Sequence, residues 1–309
     1  PAEEQTISNK YIRYKDMRKF FITLTVFAIA VLSANAEEKT KTYDFGDIKS
    51  LSIGYNYQVH VTEGNSGSVK IVYDSAFDEF IVADYNSKSR MLVMDMDKKM
   101  PKKLTVGRSP QIHVYVEMDE ITALQISGAA SVTFDGEYKG NDLRIELSGA
   151  SKISNLNIDG KSLRFTCSGA SSGSIEGSFA GNVDLDLSGA SRLKCNCNGK
   201  EFSAEVSGAS RLDFEGECTA ADVRCSGASS ASLVGSATEA EFECSGASKI
   251  EAEDFITKNL RADLSGASKA EVHATSNLTY TVSRACKIIY HGDAVLKNLT
   301  SEPNVVKGR

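Results

Sequence analysis

Tryptophan is absent from the 309 residues, and proline and histidine number only four each. The missing indoles remove the best platform for stacking on sugar rings. The histidines, His60, His113, His273 and His291, are far apart, with no His-x-x-x-His pair and no glutamate-rich ligand cluster. No metal or cofactor is therefore expected. Positive charge is not in excess either: 35 Lys and Arg stand against 41 Asp and Glu, a net charge of -6. Such a balance carries no electrostatic footprint for nucleic acid. With 41% hydrophobic and 25% charged residues the composition is globular, which excludes disorder.

The longest apolar run at the front of the chain, Phe20 to Leu32, has 13 residues. As a helix it would cover about 20 Å, short of the roughly 30 Å of a hydrocarbon core. Met17-Arg18-Lys19 precedes it, and Ser33-Ala34-Asn35-Ala36 follows before the chain turns polar. A basic start, a short apolar run and a small-x-small site predict a secretory signal peptide over 17–36, cleaved after Ala36. Residues 1–16 are then an upstream extension. The expected location is outside the cytosol: periplasmic, cell-surface or extracellular, with no membrane span left after cleavage.

What is abundant is a repeat. Ser-Gly-Ala begins at Ser127, Ser148, Ser168, Ser188, Ser207, Ser226, Ser245 and Ser265, and an altered ninth copy begins at Ser283. The copies thus start roughly 20 residues apart, too short a period for a propeller blade, and the leucine-rich consensus is missing. The residues one and three before each Ser are apolar, and the residue between them is polar, as in Phe242-Glu243-Cys244. Such alternation marks a strand with one buried face. A second inward position falls five after the Ser, at Ile153, Leu193, Leu212, Ile250 and Ile288.

Strands recurring at so short a period bury their faces only by stacking. The predicted fold is all-β, a single-stranded parallel β-helix of right-handed winding with about nine coils of 18–21 residues over 122–289. Gly128, Gly149, Gly169, Gly189, Gly208, Gly227, Gly246 and Gly266 are its corners, where φ > 0 carries no steric cost for glycine. Residues 37–121 alternate without the motif and read as an all-β N-terminal cap region. Residues 290–309 read as a C-terminal cap.

The strands leading into Leu124-Gln125-Ile126-Ser127-Gly128-Ala129, the later Ser-Gly-Ala-Ser copies and Tyr290-His291-Gly292-Asp293 resemble the head GIN domain family of auto-transporter adhesins. The resemblance covers about residues 40–309. It implies an exported β-helical protein, with adhesion as the family's label and its function unknown.

Ser-Gly-Ala-Ser recurs without a histidine placed as base, which suits a structural corner and not a nucleophile. The candidate ligand-facing feature is a basic column four residues after each Ser: Lys152, Arg192, Arg211, Lys249, Lys269 and Lys287, with Ser131, Ser172 and Ser230 in the gaps. Charges repeating at coil spacing suit an acidic glycan or another anionic cell-surface polymer. The plainer reading is a solvated face, neutralised by Glu251 and Glu271. A protein partner is a further possibility for so long a rigid surface. Function is therefore expected to be non-enzymatic binding. The alternative is a β-helical polysaccharide lyase or hydrolase, for which Asp184, Asp186, Asp222, Glu241 and Glu243 offer an acidic exterior patch but no pair in differentiated environments. The coils lack the long loops that would wall a cleft, and no catalytic residues are assigned.

Overall fold

The computed structural model describes residues 37–101, 112–283, 285–300 and 305–308. The expected signal peptide over 17–36 with its cleavage point, the residues 1–16 before it and Arg284 of the ninth copy lie outside the described residues.

One coil shows how the repeat folds. Strand Asp142–Leu147 runs to the corner Ser148-Gly149-Ala150-Ser151, and Lys152–Ser154 and Leu156–Asp159 return the chain. The next coil lies parallel on it, pairing Asp142 with Ser162 through to Leu147 with Cys167. From Arg211 onward the second bend no longer interrupts the strand. Arg211–Cys225, Ser230–Cys244, Lys249–Leu264 and Lys269–Val282 each wrap most of a coil. The fold is the parallel solenoid that the period predicts. Its apolar columns meet in one continuous core from Ile48 to Ile288.

The corners explain the motif residue by residue. The eight motif glycines have φ between +69° and +74°. Each coil's alanine donates its N–H to the carbonyl at the glycine position of the coil before, as Ala209 does to Gly189 at 2.7 Å. The hydrogen-bond ladder thus continues through the bend. The second serine points inward: Ser151, Ser171, Ser191, Ser210, Ser229, Ser248 and Ser268 are all buried. Several of their hydroxyls find carbonyls nearby, Ser229 donating to Val206 at 2.9 Å and Ser248 to Cys225 at 3.0 Å.

The parallel stack also reaches beyond 122–289 at its N-terminal end. Strands Ser50–Ile53 and Gln58–Glu63 form a turn lying directly on Ala123–Ile126 and Ser131–Asp135. Here Tyr55 occupies the glycine position, with φ 57°. On the other side of that turn lie Met91–Met96 and His113–Met118, again parallel. The turn made first by the chain is therefore sandwiched between two made later. Beyond it the sheet ends in antiparallel strands. Ser68–Asp74 pairs with His113–Met118, Glu38–Asp44 pairs with Ser68–Asp74, and Ile81–Asn86 pairs with Met91–Met96.

Candidate functional site

The parallel register sets the basic column in a single line. Ser131, Lys152, Ser172, Arg192, Arg211, Ser230, Lys249, Lys269 and Lys287 are successive cross-strand partners. At about 4.8 Å per coil this line extends roughly 40 Å. Its members differ electrostatically. Arg211 meets Asp213 at 3.1 Å, Lys249 is paired with Glu251, and Lys269 meets Glu271 at 3.3 Å. Lys152 and Arg192 are exposed and have no ion-pair partner among the described residues, and the same holds for Lys194 two positions along the strand and for Lys287. The unneutralised cations thus lie on the coils around Lys152, Arg192 and Lys194 and, beyond the neutralised stretch, at Lys287.

On the other side of the Ser-Gly-Ala corner the sign reverses. An open groove there is lined by Asp184, Glu201, Asp222, Glu239, Glu241 and Arg261. Arg224 reaches Asp222 at 2.9 Å and Glu243 at 3.7 Å. Arg261 reaches Asp263 at 2.7 Å and Glu241 at 3.3 Å. Asp222, Glu241, Glu243 and Asp263 are thus balanced by guanidinium groups, in ladders running along the coils. Of the carboxylates considered for an enzyme, Asp222, Glu241 and Glu243 face guanidinium groups, and Asp184 and Asp186 have no ion-pair partner among the described residues.

The chain matches a family described as "Putative auto-transporter adhesin, head GIN domain" over residues 47–196 and 183–294. It belongs to that family. Among solved structures the domain is similar to a putative adhesin from Parabacteroides distasonis, at 15% identity and a TM-score of 0.47, covering 88% of this chain and 97% of the other. A putative adhesin from Parabacteroides merdae matches at 15% identity and 0.45, covering 87% and 93%. A putative lipid binding protein from Parabacteroides distasonis matches at 14% and 0.44, covering 88% and 97%. No curated protein matches the chain. No helix among the described residues is long and apolar enough to cross a membrane.

This head GIN domain brings together residues that are distant in sequence. His60 and His113 stack with ring centroids 6.1 Å apart, and Tyr115 joins them at 5.2 Å from His60. His273 and His291 lie 6.4 Å apart on adjacent coils. The second pair was legible in principle, since the step from His273 to His291 equals the last repeat step, from Ser265 to Ser283. The first was not, because its coils stack out of chain order. All seven cysteines are free thiols. Cys225 and Cys244 are cross-strand partners, and burial pushes both thiols up to about 12. They act as small hydrophobes in the core. Cys286 differs: burial raises it, but hydrogen bonds with Ser268 and Ser283 outweigh this and bring the thiol below its ordinary value. It stands where the other coils have the buried serine.

Proposed function

We propose that this head GIN domain is an exported, non-catalytic binding protein of adhesin type, whose basic column engages an extended anionic polymer such as an acidic glycan. The observation that carries the reading is the group of exposed cations without ion-pair partners at Lys152 and Arg192 in the column and Lys194 beside it. A rigid β-solenoid holds such charges at fixed spacing, so a flexible polyanion meets several at once and each contact costs little further ordering. The family supports binding over catalysis, and the open carboxylate ladders give an enzyme no enclosed site.

Direct binding of the mature chain to a panel of acidic and neutral polysaccharides tests this at two salt concentrations. A triple change of Lys152, Arg192 and Lys194 to Ser is expected to weaken acidic-glycan binding and flatten its salt dependence. The fold tolerates serine in the column, as Ser172 and Ser230 show. The triple change of Arg211, Lys249 and Lys269 to Ser is expected to matter less, because those cations already face carboxylates. Equal binding of neutral and acidic polymers, or no effect of either triple, would remove the column from the function. Turnover of any polysaccharide, abolished by one carboxylate substitution, would move the protein to the enzyme class. Export after Ala36 predicts that secreted material begins at Glu37, which N-terminal mass spectrometry reads directly.

A further inference from the structure

The repeat places a second kind of chemistry at the C-terminal end of the stack. Glu253, Glu271 and His291 come from three successive coils. Among the described residues this is the one group where three carboxylate or imidazole ligand atoms lie within 4.8 Å of one another. His291 Nε2 is 3.3 Å from Glu271 Oε1 and 3.9 Å from Glu253 Oε2. A zinc-like ion with bonds of about 2.0–2.2 Å holds tetrahedral ligands roughly 3.3–3.6 Å apart. The His291–Glu271 separation already matches what one shared ion would impose, and the Glu253 carboxylate, within 4.8 Å of both, needs only a small side-chain shift to join them.

The backbone around the cluster departs from the regular repeat. Ala252 pairs with Val272, yet the next pair is Ile256 with His273, so three extra residues, 253–255, bulge from the lower coil. The bulge brings Glu253 toward the histidines of the coils above. Its carbonyl accepts from His273 Nδ1 at 3.1 Å. A carbonyl only accepts, so Nδ1 of His273 is the donor here. Bulges of this kind commonly re-aim side chains at functional positions. Glu271 keeps Oε2 for Lys269 at 3.3 Å, and its Oε1 accepts from His291 Nε2, whose proton a bound ion would displace.

We infer that Glu253, Glu271 and His291 form a binding site for one divalent transition ion of the zinc class, with solvent completing its coordination. One imidazole with two carboxylates suits zinc, cobalt or manganese, whereas calcium takes oxygen ligands alone. Such an ion ties three successive coils together through side chains near the C-terminal end of the stack, where only the short strand Val305–Lys307 lies on Lys287–His291.

Calorimetric titration of tag-free wild type with zinc chloride tests the site, alongside Glu253→Gln, His291→Ala and His60→Ala. One zinc per chain is expected. Glu253→Gln and His291→Ala each weaken it by at least about tenfold, the loss that removal of even an outer-shell partner brings. His60→Ala leaves it unchanged. Glu253 is exposed, so its glutamine variant keeps the fold and tests the site even if His291→Ala proves unstable. Hydrogen exchange is expected to slow over residues 287–291 when zinc is present, in wild type only. Absence of zinc binding overturns the site, as does undiminished binding by Glu253→Gln or displacement of zinc by equimolar calcium.

Discussion

A methyl group on Gly208 would sit 2.5 Å from the carbonyl oxygen of Gly189, at a residue whose φ is +70°. Gly208→Val combines left-handed backbone strain with that collision, and the whole column of corners blocks relaxation. It is expected to destabilise by about 3–5 kcal/mol in urea unfolding. Gly46 is the contrast, since its φ of +75° carries the same backbone strain with nothing within 4 Å. Gly46→Ala should cost only about 1–2 kcal/mol. Equal costs would mean that the corners do not touch. The buried serine allows a similar pairing. Ser229→Ala leaves the Val206 carbonyl one donor short and should cost about 1 kcal/mol. Ser229→Cys should cost less, because Cys286 already fills that position in the last coil. At this scale the sequence was informative about glycine, whose spacing alone marks the corner. It did not distinguish the exposed first serine from the buried second one, since only the inward turn at the corner separates them.

Among the elements, strand Glu38–Asp44 depends on a clamp at its first half. Asp78 accepts from Lys39 at 2.8 Å and from Tyr73 at 2.7 Å, and it pairs with Lys41 at 2.8 Å. Hydrogen bonds from Lys39, then Lys41 and Tyr73, hold its carboxyl well below the usual carboxylate range. A carboxylate lowered on folding stabilises fully above its unfolded value of about 4 and loses that contribution as pH falls further. Asp78→Asn is therefore expected to be less stable than wild type at pH 7, with the difference shrinking below about pH 4. Urea midpoints across that range check the sign, and a difference that widens in acid would refute the clamp. None of this was visible in the sequence. Lys39 and Lys41 alternate as any exposed strand face does, and Asp78 lies far along the chain from both, with no period linking them. The coils were legible because every copy repeats the same columns. The cap region was legible only as strands, because Tyr55 replaces glycine and hides the corner.

For the molecule as a whole, the antiparallel strands decide where the sheet stops. Strand Ser68–Asp74 is covered on its outer edge only by Glu38–Asp44, whose Lys39 and Lys41 blunt the edge that remains. A chain lacking residues 37–45 is expected to self-associate with rising concentration in sedimentation velocity, while the mature chain stays one species. The basic column and the carboxylate–guanidinium ladders follow from the same stacking, since each places like side chains one above another along the axis. Their legibility was unequal: the basic column showed in the motif register, while its division into neutralised and free members needed the side-chain pairings. The sandwiched turn at 50–63 has a consequence for biogenesis. A chain emerging N-terminus first delivers this turn before either of its neighbours, so it cannot be buried when it appears. Residues 91–118 must settle on one side and 123–135 on the other, and only then does a template exist for the motif-bearing coils. Growth of the solenoid is thus timed by closure of its own lid, and a chain halted before residue 135 would hold both surfaces of its first turn open to chaperones and proteases.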